Sequence, residues 1–421
     1  MTEPTFGITF VRDNNEPRPV VPSDLSPVGL VLPSEDADAA VFPLNGLVEF
    51  NSSDQTYLTA LGTGDLFKVV SIINAQLADF QLAARIVAVR VAKGANDAAT
   101  MTNIIGNQAA GTGLYALLRA GQVLGVIPRI LGFPGYTGIF TRDEDDVAEA
   151  NPICAVLPAI CSALLAHAVV GGPGTTKQDA LDWRETINSD RLIPVDNYLK
   201  VSDGTDTTEI DAAASVIGIG VRCDFKLGAG VPSHSWANQP VHGIVGLRRY
   251  DAFSLTDGAN DAQEMLAQNI GVVLRGELGV ETAIAEAGFN FVGTDNAGID
   301  PLWQFYNVTR MRDFIHLSLL KSLRKRLGVS NITPHAVQAL ENDMTNFMSD
   351  LKANEHILGF RVGFEKDKNS PENLRLGRLR IFFRAEEPPV LRHLTIDSRR
   401  YRPALEEMLD TLITQANSLV A

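Results

Sequence analysis

Cysteine is scarce in this chain of 421 residues, which contains only Cys154, Cys161 and Cys223. None stands in a C-x-x-C pair or in the Cys/His spacing of a zinc site, so we expect no metal centre. On one regular helix, a spacing of seven residues separates Cys154 and Cys161 by about 10 Å, beyond the reach of a disulfide. We therefore expect reduced thiols that pack as small apolar residues. Because their number is odd, all three remain candidates for disulfides between subunits in an oxidising environment.

Long apolar runs are also missing. No stretch approaches the roughly 20 apolar residues of a membrane span, and the N-terminus lacks a basic segment followed by an apolar block. We therefore expect no membrane partner, and folding in the cytoplasm. Asp and Glu outnumber Lys and Arg by 50 to 36, which gives a net charge of −14. We expect no nucleic-acid partner, because binding to phosphates requires a basic surface.

Motifs for catalysis and nucleotide binding are incomplete. A phosphate loop in AVVGGPGTTKQD would need a glycine before Lys177 and a hydroxyl residue after it, and the chain has neither. Ser233 and His234 adjoin one another and raise the alternative of an α/β hydrolase, but no G-x-S-x-G elbow accompanies them. The acidic run 142–150 lacks the alternation of a calcium-binding loop. We expect no enzymatic activity and no cofactor.

Strand and helix patterns alternate from Pro27 to about residue 290. Strand-like runs such as AARIVAVRVAKG and helix-like runs such as PICAVLPAICSALLAH are typical of βαβ units and a mostly parallel sheet. We predict a helix in TGLYALLRAGQVLGVI and a strand in ASVIGIGVRCDF. Beyond Phe291, two helices at about 309–327 and 334–353 precede strands in HILGFRVGFEK and RLGRLRIFFRAE. This order indicates a separate α+β domain.

Positive charge is concentrated in this last part of the chain. Between Arg310 and Arg402 there are 18 Lys and Arg against 11 Asp and Glu. A helix through residue 327 would place apolar residues on one face and cations on the other. The apolar face comprises Ile315, Leu319, Leu320, Leu323 and Leu327, and the cations are Lys321, Arg324 and Lys325. A solvated surface would explain one such helix, but Arg375, Arg378, Arg380 and Arg384 follow nearby, so we predict an acidic partner.

Residues 1–22 are predicted to form an arm. A strand-like run over 5–11, containing Phe6, Ile8 and Phe10, is followed by the polar, proline-rich NNEPRPVVP. An isolated strand has unpaired backbone groups, so it gains most by joining a sheet, either its own or that of a neighbour.

Several soft motifs, in the same order along the chain, resemble the sheath subunit of contractile phage tails, tailocins and related contractile injection systems, of the short type. They are GTGLYALLRAGQVLGVIPRILGFPGYT, LDWRETINSDRLIPVDNYLKV, PSHSWANQPVHGIVGLRRYDAFSL, DAQEMLAQNIGVVLR, IDPLWQFYNVTRMRDFIHLSL and HILGFRVGFEKDKNSPENLRLGRLRIFFRAEEPP. The fifth carries a hallmark at Trp303, Asn307, Val308 and Arg310. The chain departs from the family pattern at its end, where PALEEMLDTLITQANSLVA adds a helix.

The resemblance implies an α/β fold with an outward subtilisin-like domain at 23–300 and an inner α+β domain at 301–390. Terminal arms at 1–22 and 391–421 would exchange strands with neighbouring subunits, the second through Leu394 and Ile396. The cations Lys321, Arg324, Lys325, Arg375, Arg378 and Arg380 would face an inner tube.

The function implied is that of a structural subunit of a virion tail, assembled in the host bacterial cytoplasm. It would polymerise with copies of itself as stacked rings around a tail tube protein, bounded by baseplate and tail terminator proteins, and contract to drive the tube through a cell envelope. A static tube or shell polymer is the alternative.

Overall fold

The computed structural model describes residues 24–202 and 204–418. The predicted arm residues Phe6, Ile8 and Phe10 lie outside this range. Contacts divide the chain into a main unit, Met1–Pro389, and a terminal unit, Val390–Ala421. The described strands are β1 Val28–Pro33, β2 Leu47–Asn51, β3 Arg85–Val91, β4 Ile130–Gly132, β5 His167–Gly171, β6 Leu192–Asp196, β7 Tyr198–Ser202, β8 Thr207–Asp211, β9 Gln239–Pro240, β10 Gly246–Leu247, β11 Gly271–Arg275, β12 Phe289–Val292, β13 Gly359–Phe364 and β14 Ile381–Glu386.

The described α-helices alternate with these strands in the first part of the chain and are longest near residues 306–353. They are α1 Gln55–Ala60, α2 Asp65–Ala75, α3 Asp97–Ile105, α4 Ala120–Val123, α5 Pro152–Leu164, α6 Lys177–Glu185, α7 Ala212–Lys226, α8 Asp261–Ala267, α9 Tyr306–Leu323, α10 Pro334–Ala353, α11 Pro371–Arg375 and α12 Pro403–Ser418. None of the helices within the described ranges is long and apolar enough to cross a membrane.

A nine-stranded sheet forms the centre of the described α/β region, in the order β2-β3-β1-β4-β5-β6-β11-β12-β9. The six strands from β3 to β11 in this order are mutually parallel, and β2, β12 and β9 pair antiparallel at the two ends. Strands such as β5 are buried throughout, as expected for a parallel sheet covered on both faces. The prediction of a mostly parallel α/β sheet is confirmed.

The prediction of a strand in ASVIGIGVRCDF was wrong, because this run lies within the helix α7. The Asp211 carboxylate accepts a hydrogen bond from the Ala213 N–H at 2.9 Å and caps the helix. Every side chain from Ala212 to Asp224 is buried. A helix that is apolar on all sides shows no 3.6-residue alternation, so its β-branched residues resemble a buried strand.

The run TGLYALLRAGQVLGVI also differs from the prediction of one helix. It forms a 3₁₀ helix at Gly113–Arg119 followed by the single-turn helix α4. Gly113 has φ of +59°, and a Cβ placed on it would lie 2.4 Å from the Ile104 carbonyl oxygen. Glycine is therefore required where this segment passes against the end of α3.

A second apolar core lies between α9, α10 and the antiparallel hairpin β13–β14. Phe314 and Ile315 of α9 and Phe347 and Met348 of α10 are buried there. The predicted helix at 334–353 matches α10, whereas α9 begins three residues before the predicted start and ends at Leu323. Partly buried side chains of the hairpin, including Val362 and Phe383, pack against this core. One face of the hairpin therefore covers it.

The terminal unit contains one described helix, α12, preceded by residues 390–402 without a helix or strand. The added helix of PALEEMLDTLITQANSLVA is thus confirmed. The strand-like run LRHLTIDSRR forms no strand in this chain, and Leu394 and Ile396 are exposed.

Candidate functional site

The basic region is built around α9, whose first three turns are buried. Tyr306 lies 5.0 Å from Trp236, ring centre to ring centre. Its hydroxyl accepts a hydrogen bond from the Trp236 N–H and donates one to the Gly293 carbonyl, both at 2.9 Å. The amide of Asn307 donates to the Ser233 carbonyl at 3.2 Å. These contacts join α9 to loops of the α/β region.

Arg310 forms a buried ion pair at the next turn of α9. Its guanidinium donates two hydrogen bonds to the Asp224 carboxylate, at 2.9 and 2.6 Å, and both side chains are at most 2% exposed. It also donates to the Leu25 carbonyl at 3.3 Å and lies 4.8 Å from the Trp236 ring centre. Such a pair stabilises one arrangement strongly, because either partner alone would be an uncompensated buried charge.

Asp313 extends this anchoring network by one further turn. It accepts hydrogen bonds from both terminal nitrogens of Arg191, one of them at 3.2 Å. His167 is buried nearby, with its Nε2 3.0 Å from the Thr309 hydroxyl oxygen. Burial lowers the pKa of His167 well below its usual value, and the Arg191 cation adds to this effect. His167 therefore stays neutral in the folded protein, and the positive charge of the cluster is carried by arginines.

The hallmark residues Asn307 and Arg310 thus anchor α9 and are not surface residues. Sequence reasoning associated them with a family motif but assigned them no partner. Asp224 lies in the run that was mistaken for a strand, so its role as the partner of Arg310 was also missed.

The predicted tube-facing cations lie at the far end of α9 and just before β14. Lys321 is half-buried in the last turn of α9, and Arg324, Lys325, Arg375, Arg378 and Arg380 are exposed. The two segments meet at one groove of about 630 Å³, lined by Leu323 and Leu327 on one side and by Gly377 and Arg378 on the other. Of the predicted cations, Arg378 belongs to the lining of this groove, and the others lie within a few residues of lining positions in sequence. Their contact with a tube remains a prediction.

The apolar face predicted for this helix is only partly covered. Ile315 and Leu319 are buried and Leu323 is half-buried, but Leu320 is 61% exposed and Leu327 is 78% exposed. The helix ends before Leu327, and the chain then passes through Gly328, whose φ is +76°. Apolar side chains remain exposed beside the cations.

Ser233 and His234 do not form the constellation of a hydrolase. The Ser233 hydroxyl oxygen lies 3.1 Å from Nδ1 of His234 and 2.8 Å from Nδ1 of His356. Within the described residues, neither imidazole forms an ion pair with a carboxylate that could orient it. Ser233 is buried. Its hydroxyl contacts His356 and so connects a loop of the α/β region with the segment that follows α10.

The other motifs also have structural roles. Thr176 caps α6 by accepting a hydrogen bond from the Asp179 N–H. The Lys177 ammonium lies 2.7 Å from both Asp261 and Glu264. No group of three His, Cys, Asp or Glu side chains in the described part of the chain is arranged to hold a metal ion.

All three cysteines are free and buried. Burial raises the pKa of each thiol to about 12. An inter-subunit disulfide through Cys154, Cys161 or Cys223 stays a prediction, and forming one would require the surrounding core to open.

We expect a thiol-specific reagent in excess to modify almost none of the three thiols of the native protein. The reason is that the thiols are protonated and the reagent cannot reach them. In denaturant, the same protein should react at all three thiols and release three equivalents of the reagent's coloured product. Rapid modification of one thiol in the native protein would show that a cysteine is accessible and would favour the cross-link.

No family model matches the chain. It is 27% identical over 428 residues to the tail sheath protein of Escherichia phage P2, covering 99% of this chain and 100% of that protein. It is 25% identical over 406 residues to the major tail sheath protein of Serratia phage KSP20, covering 94% of this chain and 95% of that protein.

Solved structures show the same likeness at the level of the fold. The anti-feeding prophage helical sheath in the contracted state matches with a TM-score of 0.66 and 12% identity, over 95% of this chain and 100% of that one. The sheath complex of the PVC extracellular contractile injection system, also contracted, matches with a TM-score of 0.63 and 13% identity, over 94% and 99%.

The fold is therefore that of contractile sheath subunits, a class of structural proteins. Within this class, the full-length sequence likeness is to sheaths of phage tails. The chain is thus similar along its whole length to contractile tail sheath proteins, which confirms the resemblance found in its sequence.

Proposed function

We propose that the chain is the subunit of a contractile tail sheath, which polymerises as stacked rings around an inner tube and contracts to drive the tube through a cell envelope. The observation that carries this proposal is the likeness to tail sheath proteins along the whole chain, with the fold of sheaths solved in the contracted state. No bond is made or broken in such a process. The work comes from a metastable array that rearranges to one with larger subunit interfaces.

The apolar core around α9 and α10 is separate from those of the α/β region, which supports different roles for the two parts of the subunit. In the proposed arrangement, residues 23–300 form the outward, subtilisin-like domain and residues 301–390 the inner domain, with a boundary just before α9. The buried Arg310–Asp224 pair holds α9 against the α/β region, so the two parts would move together as one body during contraction.

The proposed arms are residues 1–22 and 391–421. Residues 390–402 contain no helix or strand, and β14 pairs only with β13 among the described residues, which leaves an edge open for strand addition. Leu394 and Ile396 are the proposed apolar contacts of the second arm. Proline-rich segments near 14–22 and 386–389 would serve as hinges.

Lys321, Arg324 and Lys325 are proposed to face an acidic tube, together with Arg375, Arg378 and Arg380. We expect the triple variant Lys321→Glu, Arg324→Glu, Lys325→Glu to bind a tail tube protein at least about tenfold more weakly at low salt, because three attractions become repulsions. Co-sedimentation with tube protein measures this. Equal binding would contradict the assignment of these cations.

A matched control is Lys68→Glu with Lys93→Glu, since both lysines are about half exposed and lie in the α/β region. This control should bind the tube like the unchanged chain. The unfolding temperature of the control should change little, because exposed charges contribute less than about 1 kcal/mol each.

Assembly tests the proposed function as a whole. Electron microscopy of the purified chain should show hollow, ringed cylinders. We propose assembly in the host bacterial cytoplasm, with copies of itself, a tube protein, baseplate and tail terminator proteins as partners. A protein that stays monomeric at every salt and protein concentration would overturn this function.

A further inference from the structure

Two surfaces of this chain, one in each unit, expose apolar side chains. One is the groove between the end of α9, the start of α10 and the segment before β14, which has a volume of about 630 Å³. Leu327 in its lining is 78% exposed, and Leu320, Val329 and Leu376, each next to a lining residue in sequence, are all more than 60% exposed. Exposed apolar side chains at an apolar groove are typical of a binding surface.

The second surface belongs to the terminal helix α12. Its apolar residues recur with the spacing of one helical face, and each is about half exposed. They are Leu405, Met408, Leu409, Leu412 and Ile413. A single helix of 16 residues is marginally stable on its own in water, so α12 requires a surface to pack against.

The charges on the two surfaces are opposite in sign, which indicates that the surfaces bind each other. The helix carries Glu406, Glu407 and Asp410 and no Lys or Arg between 403 and 418. The groove is lined by Arg326, which forms an ion pair with Asp343, and by Arg378, and Arg375 lies close to it in sequence. Arg375 and Arg378 have no ion-pair partner within the described residues. The acidic helix is therefore complementary to the basic rim.

We propose that the groove of one copy holds the α12 helix of a second copy. This proposal rests on the proposed function, since it concerns contacts within the polymer. The connecting residues 390–402 can span at most about 45 Å when extended, which allows them to reach across an interface between subunits. An amphipathic helix laid into an apolar groove is a common mode of recognition.

This site shares Arg375 and Arg378 with the cations proposed to face the tube, whereas Lys321 lies on a different face of α9. On a helix with 100° per residue, Lys321 points away from Leu319 and Leu323, which line the groove. A subunit that holds a neighbouring helix at Arg378 would therefore still present Lys321 to the tube. Residues 390–402 would keep the docked helix connected to its own subunit while the subunits move.

Cross-linking between two full-length chains tests the proposal directly. One chain carries Leu412→Cys and the other carries Val337→Cys, at a position that lines the groove. The native cysteines are buried and leave little background. The two chains are mixed, assembled without tube and mildly oxidised. The yield of mixed disulfide dimers should be at least about fivefold above the yield with a control helix chain. The control carries Glu407→Cys in place of Leu412→Cys, and Glu407 lies on the opposite face of α12. Because the two cysteines are on different chains, only contact between copies is detected.

Charge reversal gives a second measurement that does not depend on apolar packing. With Arg378→Glu in the groove chain, the yield should fall by about fivefold, and Glu406→Arg with Asp410→Arg in the helix chain should restore it. Cylinders that form normally without cross-linking above the control would overturn the docking while leaving the sheath function intact. Failure of the unchanged chain to form any cylinder would overturn both.

Discussion

Replacing Arg310 by alanine is expected to lower the free energy of unfolding by about 3–5 kcal/mol, because the Asp224 carboxylate would remain buried without a counter-charge. The variant also loses the contact with the Trp236 ring. Urea unfolding of the monomeric protein, followed by Trp fluorescence, measures the change. We expect a large shift of the midpoint and a small fraction of soluble protein.

Two controls separate charge burial from general sensitivity. Arg85→Ala breaks an ion pair with Glu49 in which Arg85 is 53% exposed, and it should cost less than about 1 kcal/mol. Arg310→Met combined with Asp224→Leu removes both charges and should be much more stable than Arg310→Ala alone. A loss for Arg310→Ala no larger than that for Arg85→Ala would contradict the anchoring role of this pair.

Deleting residues 1–20 is expected to abolish polymerisation while leaving a folded, soluble subunit. The deleted strand-like run would add to the sheet of a neighbour, and an exchanged strand contributes a full ladder of backbone hydrogen bonds to the lattice. Sedimentation should show loss of pelletable cylinders, and the unfolding midpoint should match that of the full chain. Cylinders of normal length and yield from the deleted chain would refute the role of this arm.

The corresponding test of the second arm uses point changes in the full chain. Leu394→Asp and Ile396→Asp alter side chains that are 67% and 78% exposed, so they should not affect folding of the subunit. They should reduce assembly, since each places a charge at a proposed apolar contact. Ser398→Asp, in the same segment and also exposed, provides a matched control for one added acidic charge.

Much of the architecture could be predicted from local pattern alone. The parallel strands are continuous β-branched runs bounded by Gly and Pro, and α10 has both a Thr333 cap and a clear apolar face. The helix α7 could not be predicted, because burial on all sides removes the periodicity by which helices are recognised. The capping residue Asp211 is the one local feature of its sequence that indicates the start of a helix.

The site could be predicted only in part. The basic region could be located by counting charges, because an excess of Lys and Arg in one part of the sequence does not depend on knowledge of the fold. The groove could not be foreseen, because it depends on α9 ending at Leu323 and on residues 377–383 lying opposite. The partners of Arg310 are Asp224 and Leu25, at separations of 86 and 285 residues, and no local pattern reports contacts so distant in sequence.

If one subunit builds two lattices, the helical rise and outer diameter of its polymers should differ with the conditions of assembly, and electron cryo-microscopy measures both. We predict short, wide cylinders from the chain alone and longer, narrower ones when it assembles on tube and baseplate, with the subunit body unchanged between them. The same rise and diameter under both conditions would contradict this prediction and would identify a static tube.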